Sequence, residues 1–469
     1  DITVDTVLEA EAVVTLWQDA LEATGRQEPA VGLELNTDKT VAMSWADIVR
    51  DGIELLGSVV GPVVATENYL RAQLAKHERN LTAISRARLD TLVRVFFVCA
   101  NDEHVFTMRN IDPKMVLDED IAATLRALDT TRLSRIKHWM DVDSLEDHNL
   151  TAIGLPRRHG GCGVTSYIRI AEHAASAASQ SAKVELVTRR IRDMPDFDSG
   201  AKVASQKQRC ETMHKSCVTE LLSSGILSPT QCRQLVTNRT SQSQTVYLHQ
   251  SRWVPRLSDV SWICELRHRA LLPDRQVCPR CNQDPTTLGH AARCMSSVRQ
   301  SRHDSIVDSF KVILSSMFTV NTEVPVCHDI NNNLRADLKV TQRAIEGVQA
   351  RAVTYYDLTI VESQCATAFE RYASSTTDCP ADLPPDNRAA LQLESLVNYK
   401  YSRKLEKYHG MVVPLVITSE GYMHAEFIKL LSTVPNYIRT QLRCAVAGAL
   451  LVFRGFRHTA LPQVPTSIN

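Results

Sequence analysis

Four side chains in one short stretch have the types and spacing of a metal site. Cys278 and Cys281 flank Pro279 and Arg280, His290 follows, and Cys294 completes the pattern C-x2-C-x8-H-x3-C. Three thiolates and one imidazole can close a tetrahedral shell, the coordination of a structural zinc ion. The first two cysteines form a tight knuckle. The stretch Leu288 to Cys294 reads as one helical turn, and a spacing of four puts His290 and Cys294 on one face. All four positions are filled by protein ligands, so this zinc holds structure and does no chemistry. The bland alternative is four unrelated buried residues; ligand type, order and spacing favour zinc.

The elements around that knuckle are basic. Across the whole chain of 469 residues, 53 Lys and Arg balance 53 Asp and Glu, so global charge argues neither for nor against a nucleic-acid partner. Residues 201–300 carry 14 Lys plus Arg against 6 Asp plus Glu, a net of +8, and the remainder therefore nets −8. A basic block around a zinc knuckle points to a polyanion, with Arg267, Arg269, Arg280 and Arg293 as the backbone-contacting set. The alternative is a solvated face. The length is enough for roughly two to four domains, and 44% apolar residues with 23% charged is ordinary for a globular chain. Thirteen cysteines without a disulfide-like framework favour a reducing, intracellular compartment. No signal peptide is read, and the longest apolar run, Ala445 to Phe453, is too short to span a bilayer.

In chain order, Asp1 to Thr6 reads as a short β-rich stretch and Glu9 to Ala23 as a helix. Next comes Gly32-Leu33-Glu34-Leu35-Asn36-Thr37-Asp38-Lys39-Thr40. This resembles the end of the palm of the reverse transcriptases of non-LTR retrotransposons, which carry G-L-x-x-N-x-x-K-T after their catalytic hairpin. The resemblance makes Asp1 the last Asp of that hairpin and Lys39 the lysine that approaches the nucleotide. It continues in Ile53 to Ser58, similar to the strand after the palm. Helices at about Ala65 to Ile84 and Leu89 to Cys99 look like the thumb. Leu155 to Val164 matches the pattern P-x-x-x-G-G-x-G-[LIV], whose glycines supply positive φ. Ser261 to Arg269 looks like the arginine-bearing helix before the zinc knuckle. Any one motif is weak; their order is specific.

Polymerisation needs two metal ions held by carboxylates from two palm strands, and one of those strands, with the fingers, falls before residue 1. The expectation is that these 469 residues do not extend a primer alone. Either they are the C-terminal part of a larger protein, or they pair with a separate N-terminal half, or they are a relic kept within a ribonucleoprotein assembly.

After the knuckle, Ser301 to Met317 alternates like an amphipathic helix. Leu334 to Val340 and Thr354 to Val361 read as strands, Leu391 to Lys407 as a helix, and Val412 to Ile417 as a buried parallel strand. That order is a small α/β core. It resembles the restriction-enzyme-like endonuclease of site-specific non-LTR elements, written [RK]-P-D, then D-[VL]-T-[VI], then K-x-x-K-Y. The matching residues are Arg335-Ala336-Asp337, Asp357-Leu358-Thr359-Ile360 and Lys404-Leu405-Glu406-Lys407-Tyr408, with Ala336 in place of the proline. The resemblance makes Asp337 and Asp357 ligands of Mg²⁺ or Mn²⁺, with Lys404 the first choice and Lys407 the second for the catalytic lysine. Outside the motifs, Glu323, upstream on an element the sequence does not define, could complete the metal shell. The alternative is that the two aspartates are strand-end surface carboxylates and the lysines a solvated helix face.

The expected fold is thus α+β and mostly helical: a palm remnant over 1–60, a helical thumb over 61–150, a helical linker with the knuckle (278–294) over 151–300, and the endonuclease-like domain over 301–469. Two functions follow. One is a metal-dependent endonuclease that nicks target DNA, nuclear in an active element. The other is a domesticated, non-catalytic retroelement fragment serving as a subunit of an RNA-containing complex.

Overall fold

The computed structural model of the chain describes residues 50–55, 58–84, 87–188, 204–239, 258–272, 296–326, 334–342, 352–361 and 385–459. The N-terminal strand and helix, the palm-like stretch with Asp1 and Lys39, and the knuckle with Cys278, Cys281, His290, Cys294, Arg280 and Arg293 lie outside the described residues. The described chain is mostly helical, with one two-stranded hairpin and one four-stranded mixed sheet. Among the described residues no helix is long and apolar enough to cross a membrane.

The hairpin pairs β1 (Ile53–Leu55) antiparallel with β2 (Ser58–Val60). Helices α1 (Val63–Ile84), α2 (Leu89–Val95), α3 (Val105–Asn110), α4 (Glu119–Met140), α5 (Asp147–Gly154) and α6 (Tyr167–Thr188) follow. Then come α7 (Gln206–Ser223), α8 (Pro229–Asn238) and α9 (Asp259–Arg269). The helix expected to run on to Cys99 changes pitch instead, and Phe96–Ala100 form a π-helical turn. The chain falls into two compact units. One gathers Asp1–Leu81, Glu103–Thr131 and Tyr167–Arg209; the other gathers Thr82–Asp102, Arg132–Ser166 and Cys210–Asn469. The boundaries read from sequence are contiguous and these are not, because the helices pack against partners distant along the chain.

Local chemistry sets the helix starts. Ser228 caps α8: its hydroxyl accepts from the Gln231 amide at 3.3 Å, the Gln231 side chain accepts from the Ser228 amide at 2.9 Å, and Pro229 takes the first helical position. In the glycine turn after α5, Gly160 and Gly163 have φ of 92° and 83° as the pattern requires. Gly161 is needed for a different reason. A Cβ there would lie 2.2 Å from the carbonyl oxygens of both Ala152 and Leu155.

The second unit ends in the sheet. Helix α10 (Ser296–Leu314) leads into β3 (Phe318–Pro325), β4 (Arg335–Gln342), β5 (Val353–Val361), α11 (Pro385–Lys407), β6 (Val413–Thr418), α12 (Ala425–Thr433) and α13 (Asn436–Thr459). The strand order is β3-β4-β5-β6, antiparallel except for the parallel pair β5–β6. One face carries Leu338, Leu358 and Leu415 against Ile306 and Phe310 of α10, Phe427 of α12 and Leu442 of α13, all buried. The other face carries Val361 and Val416 against Leu393 and Leu396 of α11. Strand β6 is buried from Pro414 to Thr418, which is why it reads as a continuous apolar run. Strand β3 was not foreseen. Its alternation of exposed Thr319, Asn321 and Glu323 with half-buried or buried neighbours is interrupted by few apolar residues, so period alone gives little signal.

Candidate active site at the open end of the sheet

Three acidic side chains lie in one row across three strands. The β3–β4 ladder pairs Thr322 with Leu338 and Val324 with Ala336, which sets Glu323 beside Asp337. The β4–β5 ladder pairs Leu338 with Tyr356, so the next residues, Asp337 and Asp357, stand opposite each other. Opposite residues of an antiparallel pair share a face. Glu323 breaks the β3 ladder with a left-handed φ of 53°, and it is exposed. A non-glycine residue held in that region is uncommon and costs on the order of 1–2 kcal/mol.

Asp337 sits where β4 and β5 part. Its Oδ2 accepts from the Leu358 amide at 2.6 Å, so a side chain replaces a ladder hydrogen bond. The same oxygen lies 3.0 Å from His303 Nε2 on α10, and that nitrogen is also 3.1 Å from the Leu358 carbonyl. His303 Nδ1 lies 3.0 Å from Asp304 Oδ1. Burial works against charge on this ring, but the hydrogen bonds and charges of Asp337 and Asp304 outweigh it and push its pKa up to about 9. His303 is therefore an imidazolium at neutral pH, donating from both nitrogens. Asp337 Oδ1 takes no hydrogen bond among the described residues.

Asp357 is deeper, at 4% exposure. Its Oδ2 lies 2.8 Å from Lys404 Nζ and accepts from Thr359 Oγ1 at 3.2 Å; its Oδ1 accepts from the Tyr408 hydroxyl at 2.5 Å. A buried carboxylate is tolerated only with such partners. Burial raises the Tyr408 phenol's pKa well above its ordinary value; its hydrogen bond to Asp357 and the negative charges of Asp357, Asp337 and Glu323 add to the rise. The phenol therefore stays a donor.

Helix α11 delivers Lys404 and Tyr408 one turn apart. The helix stops there because His409 and Gly410 take left-handed φ of 50° and 76°, and the Gly410 amide bonds back to the Leu405 carbonyl at 3.0 Å. Of the two lysines, Lys404 enters the cluster, whereas Lys407 is exposed with its ammonium 5.0 Å from the Tyr408 ring centroid. Thr359 stands two residues after Asp357 and binds that carboxylate.

Two participants were missed from the sequence. Tyr408 was noticed only as the last letter of a motif. His303 had a readable signal: it lies three and four residues before Ile306 and Val307, on the apolar stripe of α10. Arg267 and Arg269 are buried, at 8% and 0% exposure. Arg267 Nη1 donates to the Met140 carbonyl at 3.0 Å. Arg269 pairs with Glu265 at 2.7 Å and donates to the Gly161 carbonyl at 3.0 Å. They lock α9 into the core beside the fully buried Trp262 and Leu266. This corrects the expectation that they contact nucleic acid: as the chain is folded, neither guanidinium is presented to a phosphate.

Asp337, Asp357 and Glu323 offer hard oxygen ligands of the kind Mg²⁺ and Mn²⁺ prefer, and Asp337 Oδ1 is open to one. The donors of all three are not gathered within 4.8 Å of one another; among the described residues that holds only for His77, Glu103 and His104. No family model and no curated protein matches the chain.

Proposed function

We propose that the sheet and its helices, from α10 to α13, form a divalent-metal-dependent phosphodiesterase acting on nucleic acid, of the restriction-enzyme-like kind, in a protein related to non-LTR retrotransposon reverse transcriptases. The observation that carries this reading is the in-register row Glu323, Asp337 and Asp357 with Lys404 closed onto Asp357. Asp337 and Asp357 would hold the cation, with Glu323 completing the shell, and the cation would lower the pKa of a bound water and offset charge on the phosphate. Tyr408 and Thr359 fix the Asp357 carboxylate. His303 fixes that of Asp337. Lys404, whose side chain is 29% exposed, is placed so that it could also face a phosphate brought to this row.

The test is nicking of supercoiled DNA in Mg²⁺ or Mn²⁺ by wild type, Asp337→Asn, Asp357→Asn and Lys404→Met. The expected loss is on the order of 10²-fold or more for each variant, with DNA affinity nearly unchanged. Equal activity in all four proteins would overturn the reading.

A specific observation favours a second reading, a non-catalytic subunit of a nucleic-acid-containing complex. Asp357 already has three donors, which makes the Lys404–Asp357 pair a self-sufficient buried ion pair. In that case no protein of the four nicks DNA while all remain folded.

A further inference from the structure

Helix α1 carries a buried stripe of Thr66, Leu70, His77 and Leu81, at 2%, 0%, 0% and 3% exposure. The spacing of these residues is that of one helix face. A histidine in the middle of such a stripe needs a polar partner. It finds one in the turn that precedes α3, where Glu103 Oε2 lies 3.0 Å from His77 Nδ1. The next residue, His104, caps α3: its carbonyl accepts from the Met108 amide at 3.1 Å. Its ring is 2% exposed and stands edge-on to His77, with centroids 5.4 Å apart. His104 Nε2 lies 4.0 Å from the same Glu103 Oε2.

Two imidazole nitrogens thus converge on one carboxylate oxygen, and one donor atom from each residue lies within 4.8 Å of the others. A hydrogen-bonded pair explains His77 and Glu103. His104 Nε2 stands 4.0 Å from that oxygen, too far for a hydrogen bond but within reach of a shared ion. Around a tetrahedral ion with bonds of about 2.0–2.1 Å, ligand atoms stand about 3.3 Å apart. The two gaps to Glu103, 3.0 and 4.0 Å, bracket that spacing; the wider one needs about 0.7 Å of closing, and no gap in the set exceeds 4.8 Å. Glu103 is 24% exposed, which leaves one side open to a fourth ligand from water.

We infer that His77, Glu103 and His104 form a site for a zinc-type divalent ion, with two imidazoles and one carboxylate as protein ligands and one position open. Nitrogen and oxygen donors in this ratio suit zinc, cobalt or iron in the divalent state. The ion ties α1 to the turn before α3, two segments that no backbone pairing joins. The site is separate in sequence and ligand chemistry from the cysteine-rich knuckle and from the carboxylate row.

The experiment is titration of the chelator-stripped 469-residue chain with Co²⁺, used as a spectroscopic substitute for zinc. Cobalt on thiolates gives an intense charge-transfer band; cobalt on imidazole and carboxylate does not. With the carboxylate row kept filled by excess Mg²⁺, wild type should take up one equivalent more than the thiolate band accounts for. His77→Asn and Glu103→Gln should each lose that equivalent and keep the thiolate band, and Cys281→Ser should lose the band and keep the equivalent. Glu103 is partly exposed, so Glu103→Gln should fold even if His77→Asn does not. Uptake fully accounted for by the thiolate band in wild type, or uptake unchanged in Glu103→Gln, would overturn the assignment.

Discussion

Replacing Lys404 with Met keeps most of the side chain's length and removes its charge. The structure sets the size of the effect. Asp357 is buried, with its side chain 5% exposed, and Lys404 Nζ is 2.8 Å from it. Removing one partner of a fully buried pair costs about 3–5 kcal/mol, because the other charge is left uncompensated. Two facts lower that figure here. The Lys404 side chain is 29% exposed, so water reaches the vacated side. The hydroxyls of Tyr408 and Thr359 also remain on the carboxylate. The expected loss is therefore roughly 2 kcal/mol. Adding Asp357→Asn removes the stranded charge, so the double variant should lose about 1 kcal/mol less than the two single losses added together. Because the chain has two units, a single global unfolding free energy is not defined. The assay is urea unfolding read by pulsed hydrogen exchange, at one fixed labelling pH, of the peptide spanning β5. A Lys404→Met midpoint equal to wild type, with additive double-variant losses, would mean that the ammonium is not held against Asp357. The ion-pair argument would then fail.

Other expectations concern His303 and the glycine turn. The folded pKa of His303 is raised from 6.5 to about 9, so its contribution is fully present below pH 6.5 and is lost as pH rises through about 9. The shift alone corresponds to about 3 kcal/mol, reduced to roughly 1–2 kcal/mol by solvent screening at a ring that is 20% exposed. Wild type in chelator should lose that much β4–β5 stability between pH 6.5 and 9.5, and His303→Gln should be flat; parallel curves would refute it. Gly161→Ala should cost about 3 kcal/mol or more, because the new methyl meets two backbone carbonyls that cannot yield. Gly225→Ala, at φ 73° with open space around it, should cost about 1 kcal/mol. Thermal unfolding by circular dichroism checks the order, and a reversed ranking would sink the argument.

What the sequence could reveal depended on the range of the physics involved. Local patterns were legible. The β-branched run before Val361, the apolar run ending at Thr418 and the amphipathic helices each declare themselves within a dozen residues. That Asp337, Asp357 and Lys404 fall close together was legible through motif order. That Glu323 joins them was only a guess, because it depends on the β3–β4 register, and β3 itself is too polar to announce its pairing. Arg267 and Arg269 misled for a related reason. Charge counting sees a basic block, while burial is decided by Glu265 on the same helix and by the Met140 and Gly161 carbonyls, more than a hundred residues away. The His77 cluster was invisible because its parts come from two separated segments, with no short spacing to read.

The row of acids also bears on why the sheet is built as it is. A sheet selected for stability alone has no need of a left-handed glutamate in a strand, nor of a ladder hydrogen bond handed to a side chain. Both features occur at neighbouring positions, Glu323 and Asp337, and both carry a cost that a glycine or a closed ladder would avoid. The neighbouring Asp357 adds a buried charge, which an apolar residue of similar volume would often replace without loss. Three such costs at three adjacent register positions are mutually unrelated if the sheet is only a scaffold. They share one explanation if the row is kept for the negative potential it creates. That potential also accounts for the flanking groups: a lysine from α11 on one side, an imidazolium from α10 on the other, and a phenol whose proton is held in place. Cations alone could have neutralised the row. The exposed carboxylate of Glu323 and the open oxygen of Asp337 leave it only partly neutralised, which is the condition for recruiting a further positive ion.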